Sequence, residues 1–256
     1  MALSWSLDKL GPLALTAEDC GLILEAIAGP DPKDPTTIPT AFRQRRIRDR
    51  RFRLATPRGV TEGLDEAVAE NFTQSLTILG KTAAIEEVEF PNLPFETITR
   101  TILNAESASA FEEFIEEGKL SELTAPEDRF SAYARTAVLA KDYLRALRLR
   151  IIMAKALDEM LSTYDAIVAP TYKSTATPIG QQFRHPTERV TGDITGAAGN
   201  GAGLPSISVP NGFTRSGLPT GIQFMGKAGD ENAVLSIACR FQSLTDWHKQ
   251  HPSGLT

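Results

Sequence analysis

The chain has 256 residues, of which 41% are hydrophobic and 23% are charged, and its formal net charge is −5. This ordinary globular composition excludes a chain that is disordered throughout, and the acidic balance argues against a protein that binds nucleic acid or a membrane surface. No stretch reaches the ~20 apolar residues of a membrane helix, and the first residues resemble no secretory leader. We therefore expect a cytoplasmic protein.

Cysteine and histidine show no pattern typical of a metal site. Cys20 and Cys239 are far apart in the sequence, and His185, His248 and His251 fall in predicted loops or near the C-terminus. We expect two reduced thiols, no metal site and no cofactor.

Helices alternate with strands in the first part of the chain. A helix is predicted after Thr16, a typical N-cap residue, and should end at Gly29-Pro30. A strand is predicted over Phe52–Pro57, followed by a helix over 64–79 with apolar residues at helical spacing and by a second strand over 84–90.

An exposed connector is predicted over residues 31–51, first rich in Pro, Asp and Thr and then rich in Arg. The arginines in and after it are Arg43, Arg45, Arg46, Arg48, Arg50, Arg51, Arg53 and Arg58. Such a run is compatible with a patch for nucleic acid or an acidic partner, or with a solvated connector before a strand. We favour the connector, because only Phe42 and Phe52 supply aromatic rings there and the chain is acidic overall.

The second part of the chain continues the alternation. The predicted elements are helical segments within 95–119, a long helix over 135–163, a buried strand over 165–170, a polar loop over 171–189, strands over 204–209 and 220–225, and a helix from 230. Asn211-Gly212 and Ser216-Gly217 are predicted turns. This order predicts an α/β fold, a mixed β-sheet flanked by helices, in a single domain over 1–256.

Arg150 is the residue that helical spacing singles out. It falls near the middle of an apolar stripe formed by Tyr143, Leu147, Ala154, Leu157 and Leu161. A guanidinium in such a place needs an acidic or a carbonyl partner. It either points into a substrate pocket or forms an internal salt bridge or reaches the surface. Asp193, before a run of small residues, is the second candidate, although a lone Asp there is more often a helix N-cap.

Motif chemistry alone identifies no reaction. The sequence has no G-x-S-x-G elbow and no phosphate-binding glycine loop. The glycine-rich run 196–203 matches no phosphate motif, so we interpret it as close backbone packing before a buried strand.

Several segments together resemble the amidase-signature family, in order along nearly the whole chain. They are SWSLDKLGPLA from Ser4, LEAIAG from Leu24, Tyr164-Asp165 with Pro170-Thr171, AGLPSISVP from Ala202 and GLPTGIQFMG from Gly217. The resemblance implies a partial amidase-signature fold and hydrolysis of amide C–N bonds through a serine acyl-enzyme. The family's nucleophilic Ser, its second Ser on a cis peptide bond and its Lys base lie in a segment that we expect to precede Met1. This chain alone is therefore expected to be the inactive C-terminal part of an amidase.

The resemblance also implies roles for two residues. Arg150 lies fifteen residues before Asp165, where the tRNA-dependent amidotransferase branch has an Arg that binds glutamine, and Asp193 lies seven residues before Asn200, like an Asp of that branch. Both are expected to bind substrate. Lys141-Asp142-Tyr143, Gly201 and the ending depart from that branch, so we favour the general amidase branch.

Other interpretations stay open. The chain could be a fragment like the A subunit of a tRNA-dependent amidotransferase, or a non-catalytic small-molecule-binding or scaffold module derived from an amidase. A frameshift, a split gene or a misplaced start codon could each explain why the sequence begins after the segment that is expected to carry the catalytic residues. The expected partners are a small-molecule amide and either an N-terminal half or a second copy of the chain.

Overall fold

A computed structural model of the protein describes residues 2–34, 37–47, 50–126, 128–180 and 194–251. The residue contacts fall into two compact units. Unit 1 comprises Met1–Lys9, Pro91–Glu159 and Ala176–Leu204, and unit 2 comprises Leu10–Phe90, Met160–Thr175 and Pro205–Thr256. The single domain expected over 1–256 stays a prediction, since two groups of contacts can belong to one domain or to two.

Helices and strands alternate along the described residues. The helices are α1 (Ala17–Ile27), α2 (Glu66–Leu79), α3 (Phe95–Ala110), α4 (Glu112–Glu116), α5 (Asp128–Arg135), α6 (Ala140–Leu161), α7 (Ile194–Ala202) and α8 (Glu231–Ser243), with short 3₁₀ turns at Lys119–Glu122 and Trp247–Lys249. No helix in this described part is long and apolar enough to cross a membrane.

A mixed sheet forms the centre of unit 2. Its strands in the described residues are β1 (Phe52–Pro57), β2 (Ala83–Val88), β3 (Ala166–Pro170), β4 (Ser206–Phe213) and β5 (Pro219–Gly226), in the order β2-β1-β3-β5-β4. β1 runs parallel to β2 and β3, whereas β5 is antiparallel to β3 and β4. The predicted α/β fold with a mixed sheet flanked by helices is confirmed.

The core of unit 2 lies between the sheet and helices α2 and α8. Ile222 and Phe224 alternate along β5 and are fully buried, as strand periodicity requires of one face. Phe224 meets Phe241 of α8 edge to face, with ring centroids 6.3 Å apart. Phe72 of α2 belongs to the same cluster. These side chains hold the helices on the sheet.

Two predicted helix starts are confirmed in unit 2. The Thr16 side chain accepts a hydrogen bond from the Asp19 amide at 3.0 Å, and Asp230 caps α8 through the Ala233 amide at 3.3 Å. The buried start of α1 is tied to α8, since the Ala17 amide donates to Gln242 Oε1 at 2.9 Å. α1 therefore packs along α8.

Several of the arginines in and after the connector form ion pairs within unit 2. The described ion pairs are Arg43 with Glu25, Arg46 with Glu18, Arg50 with Asp165, and Arg58 with Glu87 and Glu89. Arg48 lies outside the described residues. This pairing favours the connector interpretation over a patch for nucleic acid.

The predicted long helix begins later than expected. The helix predicted over 135–163 is α6, which begins at Ala140. Residues 136–138 instead belong to the end of α5, because the amides of Thr136, Ala137 and Val138 bond to carbonyls three residues back. The β-branched Thr136 and Val138 lower helix propensity at this break.

A further local prediction was wrong. Asn211-Gly212 lies inside β4 rather than in a turn, because Asn211 is buried and its side chain bonds to Ser75 Oγ and Thr220 Oγ1. The other predicted turn, Ser216-Gly217, is confirmed before β5, and Gly217 has a φ of 84°. The glycine-rich run forms most of helix α7, which was not predicted, but the close backbone packing expected of it is confirmed at Gly201.

Replacing Phe224 by Ala should lower the free energy of unfolding by about 3–5 kcal/mol, because it leaves a cavity at the sheet–helix interface. Urea denaturation of the full chain measures the change. Leu218→Ala, on the exposed turn, is the control and should cost less than about 0.5 kcal/mol. Equal losses for both variants would contradict the position of Phe224 in the core.

Candidate functional site

The candidate residue Arg150 is half-buried on α6, within unit 1. Its Nε donates to the Gly201 carbonyl at 2.6 Å, and its Nη2 donates to the Ser6 carbonyl at 2.8 Å. Within the described residues its hydrogen-bond partners are thus backbone carbonyls, one of the two partner types expected for it. Asp193 lies outside the described residues, and its binding role stays a prediction.

The carbonyl of Gly201 is held in place by close packing that requires a residue without a side chain. A Cβ at Gly201 would lie 2.3 Å from Met153 Cε and 2.4 Å from Thr99 Oγ1, so a larger residue could not occupy this place without a shift of its neighbours. Thr99 also donates to the Ala197 carbonyl at 2.9 Å. Small residues therefore bring α7 close to α3 and to α6, which carries Arg150.

Lys9 reaches the same end of α7. Its Nζ lies 3.3 Å from both the carbonyl oxygen and the side-chain oxygen of Asn200. Much of the residue is exposed, yet burial around the ammonium and the nearby charge of Arg150 lower the pKa of Lys9 below its usual value. The two cations, Lys9 and Arg150, thus contact consecutive residues of α7, Asn200 and Gly201.

Glu106 on α3 fixes the segment that supplies the second carbonyl. Its carboxylate accepts hydrogen bonds from Ser4 Oγ at 2.5 Å, Ser6 Oγ at 2.7 Å, the Ser6 amide at 3.0 Å and Tyr143 Oη at 3.0 Å. Burial raises the pKa of Glu106, but these hydrogen bonds outweigh it, so the net shift is downward. The ionised carboxylate therefore orients Ser6 for Arg150.

Asp8 stabilises a turn within the same N-terminal segment. Its Oδ2 accepts hydrogen bonds from the amides of Leu3 and Ser4, at 2.6 and 3.2 Å. This turn fixes residues 3–8 independently of the contacts with α3 and leads the chain towards Lys9.

We call the resulting group of side chains the polar cluster: Ser4, Ser6, Lys9, Glu106, Tyr143, Arg150 and Asn200. Sequence reasoning found only Arg150 as a site residue. Lys9 was part of a quoted motif and Tyr143 part of the apolar stripe, but neither was singled out. Glu106 gave no local signal, because its partners Ser4 and Ser6 lie about a hundred residues away.

The polar cluster is suited to binding rather than to nucleophilic attack. Ser4 Oγ bonds to a carboxylate, but the residue is only 1% exposed and cannot reach a substrate. Ser208 on β4 shares a hydrogen bond with Thr171 at 2.6 Å and has no basic partner among its described contacts. The described residues contain no group of three or more His, Cys, Asp or Glu side chains that could hold a metal ion.

Comparison with known families decides the assignment. The Amidase family model matches residues 1–235. The chain belongs to the amidase family. The resemblance drawn from the sequence motifs is confirmed, and the sheet of unit 2 is the mixed sheet that this family predicts.

Relatives of this amidase-family chain include components of amidotransferases. The A subunit of glutamyl-tRNA(Gln) amidotransferase from Geobacillus kaustophilus is 32% identical over 281 residues, which cover 98% of this chain and 58% of the relative. The crystal structure of the corresponding A subunit from Thermotoga maritima is 30% identical with a TM-score of 0.73, covering 93% of this chain and 53% of that one. The chain thus spans little more than half the length of these relatives.

A crystal structure of an amidase is also similar. It is 24% identical with a TM-score of 0.78, and the match covers 95% of this chain and 54% of that chain. At this identity the likeness shows the fold alone.

Glu106→Gln should lower the free energy of unfolding by about 1–3 kcal/mol at pH 7, because the variant loses charge-assisted hydrogen bonds. The folded-state pKa of Glu106 lies below its unfolded-state value, so its contribution is fully present above about pH 4.3 and is lost as pH falls through the folded-state pKa. The difference between the two proteins should therefore shrink in acid.

Urea denaturation at pH 7 and at several acidic pH values measures this difference. Glu112→Gln, at an exposed position on α4, is the matched control and should change stability by less than about 0.5 kcal/mol. A difference between Glu106→Gln and the natural chain that stays constant into acid would show that the hydrogen bonds do not depend on the charge.

Proposed function

We propose that the chain is part of an enzyme that hydrolyses the C–N bond of carboxylic amides and that it supplies the substrate-binding side of the active site. One observation carries the proposal: in a chain of the amidase family, Arg150 is held by the carbonyls of Ser6 and Gly201 within a polar cluster. Arg150 and Asp193 bind the substrate in this proposal.

The reaction proceeds through a serine acyl-enzyme. A serine oxygen attacks the amide carbon, the C–N bond breaks, and ammonia or an amine leaves with a proton relayed by a lysine. Water then hydrolyses the ester and restores the serine. We assign none of these catalytic groups to the 256 residues, so we propose that the chain alone does not turn over an amide.

The partner in this proposal supplies the missing groups. It is an N-terminal half of the same family or a chain that contains one, and a second copy of this chain is the alternative. Exposed apolar residues at the start of unit 2 support a covering partner, since Leu10 is 94%, Leu13 is 99% and Leu15 is 68% exposed.

An amidotransferase role is a second candidate. It is favoured by identities of 30–32% to the A subunit of glutamyl-tRNA(Gln) amidotransferases. In that role glutamine is the amide, and its ammonia is used to amidate glutamyl-tRNA(Gln). Ammonia release from glutamine but not from unrelated amides would favour this candidate over a general amidase.

The test measures ammonia release from glutamine, succinamate and benzamide by the purified chain, with and without a co-expressed N-terminal half of a related amidase. We expect release only when the half is present. Arg150→Met should then lower kcat/KM by at least about tenfold, because a charge-assisted contact to the substrate is lost. Arg148→Met, at an exposed position on the same helix, is the control and should have little effect.

Two outcomes would contradict the proposal. Turnover by the highly purified chain alone would mean that a serine of these 256 residues performs the chemistry. Equal activity of Arg150→Met and Arg148→Met in the reconstituted enzyme would remove Arg150 from the substrate site.

A further inference from the structure

A cavity in unit 1 lies between the C-terminal end of α3, helices α4 and α5 and the first residues of the chain. Its volume is about 980 Å³, within the range of about 300–1,000 Å³ that is typical of small-molecule sites. The apolar side chains that line it include Leu3, Phe111, Phe114, Ile115, Leu120 and Leu123. The cavity is therefore lined mainly by apolar residues and is large enough for a small organic molecule.

The apolar surface around this cavity is incompletely covered within the described residues. Phe111, Phe114 and Leu123 pack against a small core cluster but are themselves only partly buried, and Leu3 is 38% exposed. Contact with a ligand would remove this apolar surface from water, which is favourable. We therefore expect the apolar body of a ligand to supply most of the affinity.

The charged side chains that line the cavity are mostly acidic. They are Glu112, Glu113, Asp128 and Arg135. Glu112 and Glu113 are exposed and take part in none of the ion pairs of the described residues. Residues 111–123 carry five glutamates against a single lysine. The cavity thus has a negative rim, which attracts a cation.

The two phenylalanines strengthen the preference for a cation. The face of an aromatic ring is electrically negative, so an ammonium placed over Phe111 or Phe114 would be attracted to it. An anion would be repelled by the glutamates, and a neutral molecule would use the apolar surface alone. Charge complementarity thus selects the occupant that the apolar cavity by itself leaves open.

We infer that this cavity binds an organic ammonium ion whose body is an aromatic ring on a short alkyl chain. The ring lies against Phe111, Phe114 and Leu123, and the ammonium is bound by Glu112 and Glu113 at the rim. The inference goes beyond the proposed amide hydrolysis and requires no turnover, so binding and hydrolysis are tested separately.

The test uses titration calorimetry on the full chain with phenylbutylamine, phenylbutanol and butylamine. Phenylbutylamine is protonated at neutral pH and differs from phenylbutanol only in its head group, so it should bind about fivefold more tightly through the carboxylates and the rings. Butylamine lacks the ring and should bind at least about tenfold more weakly than phenylbutylamine. Added salt should weaken the binding of phenylbutylamine but not that of phenylbutanol.

Glu113→Gln removes one carboxylate of the rim and should lower the preference for phenylbutylamine over phenylbutanol to about twofold. Glu116→Gln is the matched control, because Glu116 is also exposed on α4 but does not line the cavity. The preference of this control should stay unchanged. Glu113 is also in the first turn of α4, where a carboxylate stabilises a helix, so thermal unfolding of both variants is measured alongside.

Several results would overturn the inference. Equal binding of phenylbutylamine and phenylbutanol would show an apolar cavity without a preference for cations. An unchanged preference in Glu113→Gln, or the same loss in Glu116→Gln, would place the cation elsewhere on the acidic surface. Absence of binding by every compound also rejects the site, whereas ammonia release in the presence of the N-terminal half decides the proposed hydrolysis independently.

Discussion

The carboxylate of Glu106 is the interaction on which unit 1 depends most. An ionised carboxylate only accepts hydrogen bonds, and this one meets three hydroxyls and one amide, contributed by Ser4, Ser6 and Tyr143. Two of these residues belong to a short segment without helix or strand, which is joined to α3 across about a hundred residues of sequence. The ordering of that segment gives Arg150 the Ser6 carbonyl as a partner and brings Lys9 to α7.

The second constraint is the close approach of α7. Its nine residues, ITGAAGNGA, include glycines that are poor helix formers, so tertiary packing must stabilise the helix. Gly201 shows why the small residues are needed, because any Cβ there would collide with Thr99 and Met153. The same absence of side chains leaves the carbonyls at the end of the helix open to Arg150 and Lys9. The glycine at position 201 therefore determines both the packing of α7 and the carbonyl that Arg150 contacts.

Local rules predicted elements whose determinants lie within a few residues. β1 was predicted at its observed bounds, and the caps at Thr16 and Asp230 follow from side chains that bond to amides three residues ahead. α7 was missed because its stability comes from distant partners, and Asn211-Gly212 was misjudged because the contacts of Asn211 with Ser75 and Thr220 override turn chemistry. The same distinction holds for the candidate site. The spacing of apolar residues along α6 was enough to predict that Arg150 needs a carbonyl or an acidic partner. No spacing rule could identify the carbonyls of Ser6 and Gly201 as those partners, because both residues are far from Arg150 in the sequence.

The charged groups of the polar cluster in unit 1 differ in how well their neighbours compensate them. Glu106 is half-buried, accepts hydrogen bonds from four donors and stabilises the segment that it holds. Lys9 and Arg150 repel each other, so each cation reduces the stabilisation that the other gains from its contact with α7. The carbonyl end of a helix nevertheless favours nearby cations, and Arg150 bonds to the Gly201 carbonyl, to which the described backbone cap bonds do not reach. Both cations therefore have favourable partners in α7 although they repel each other.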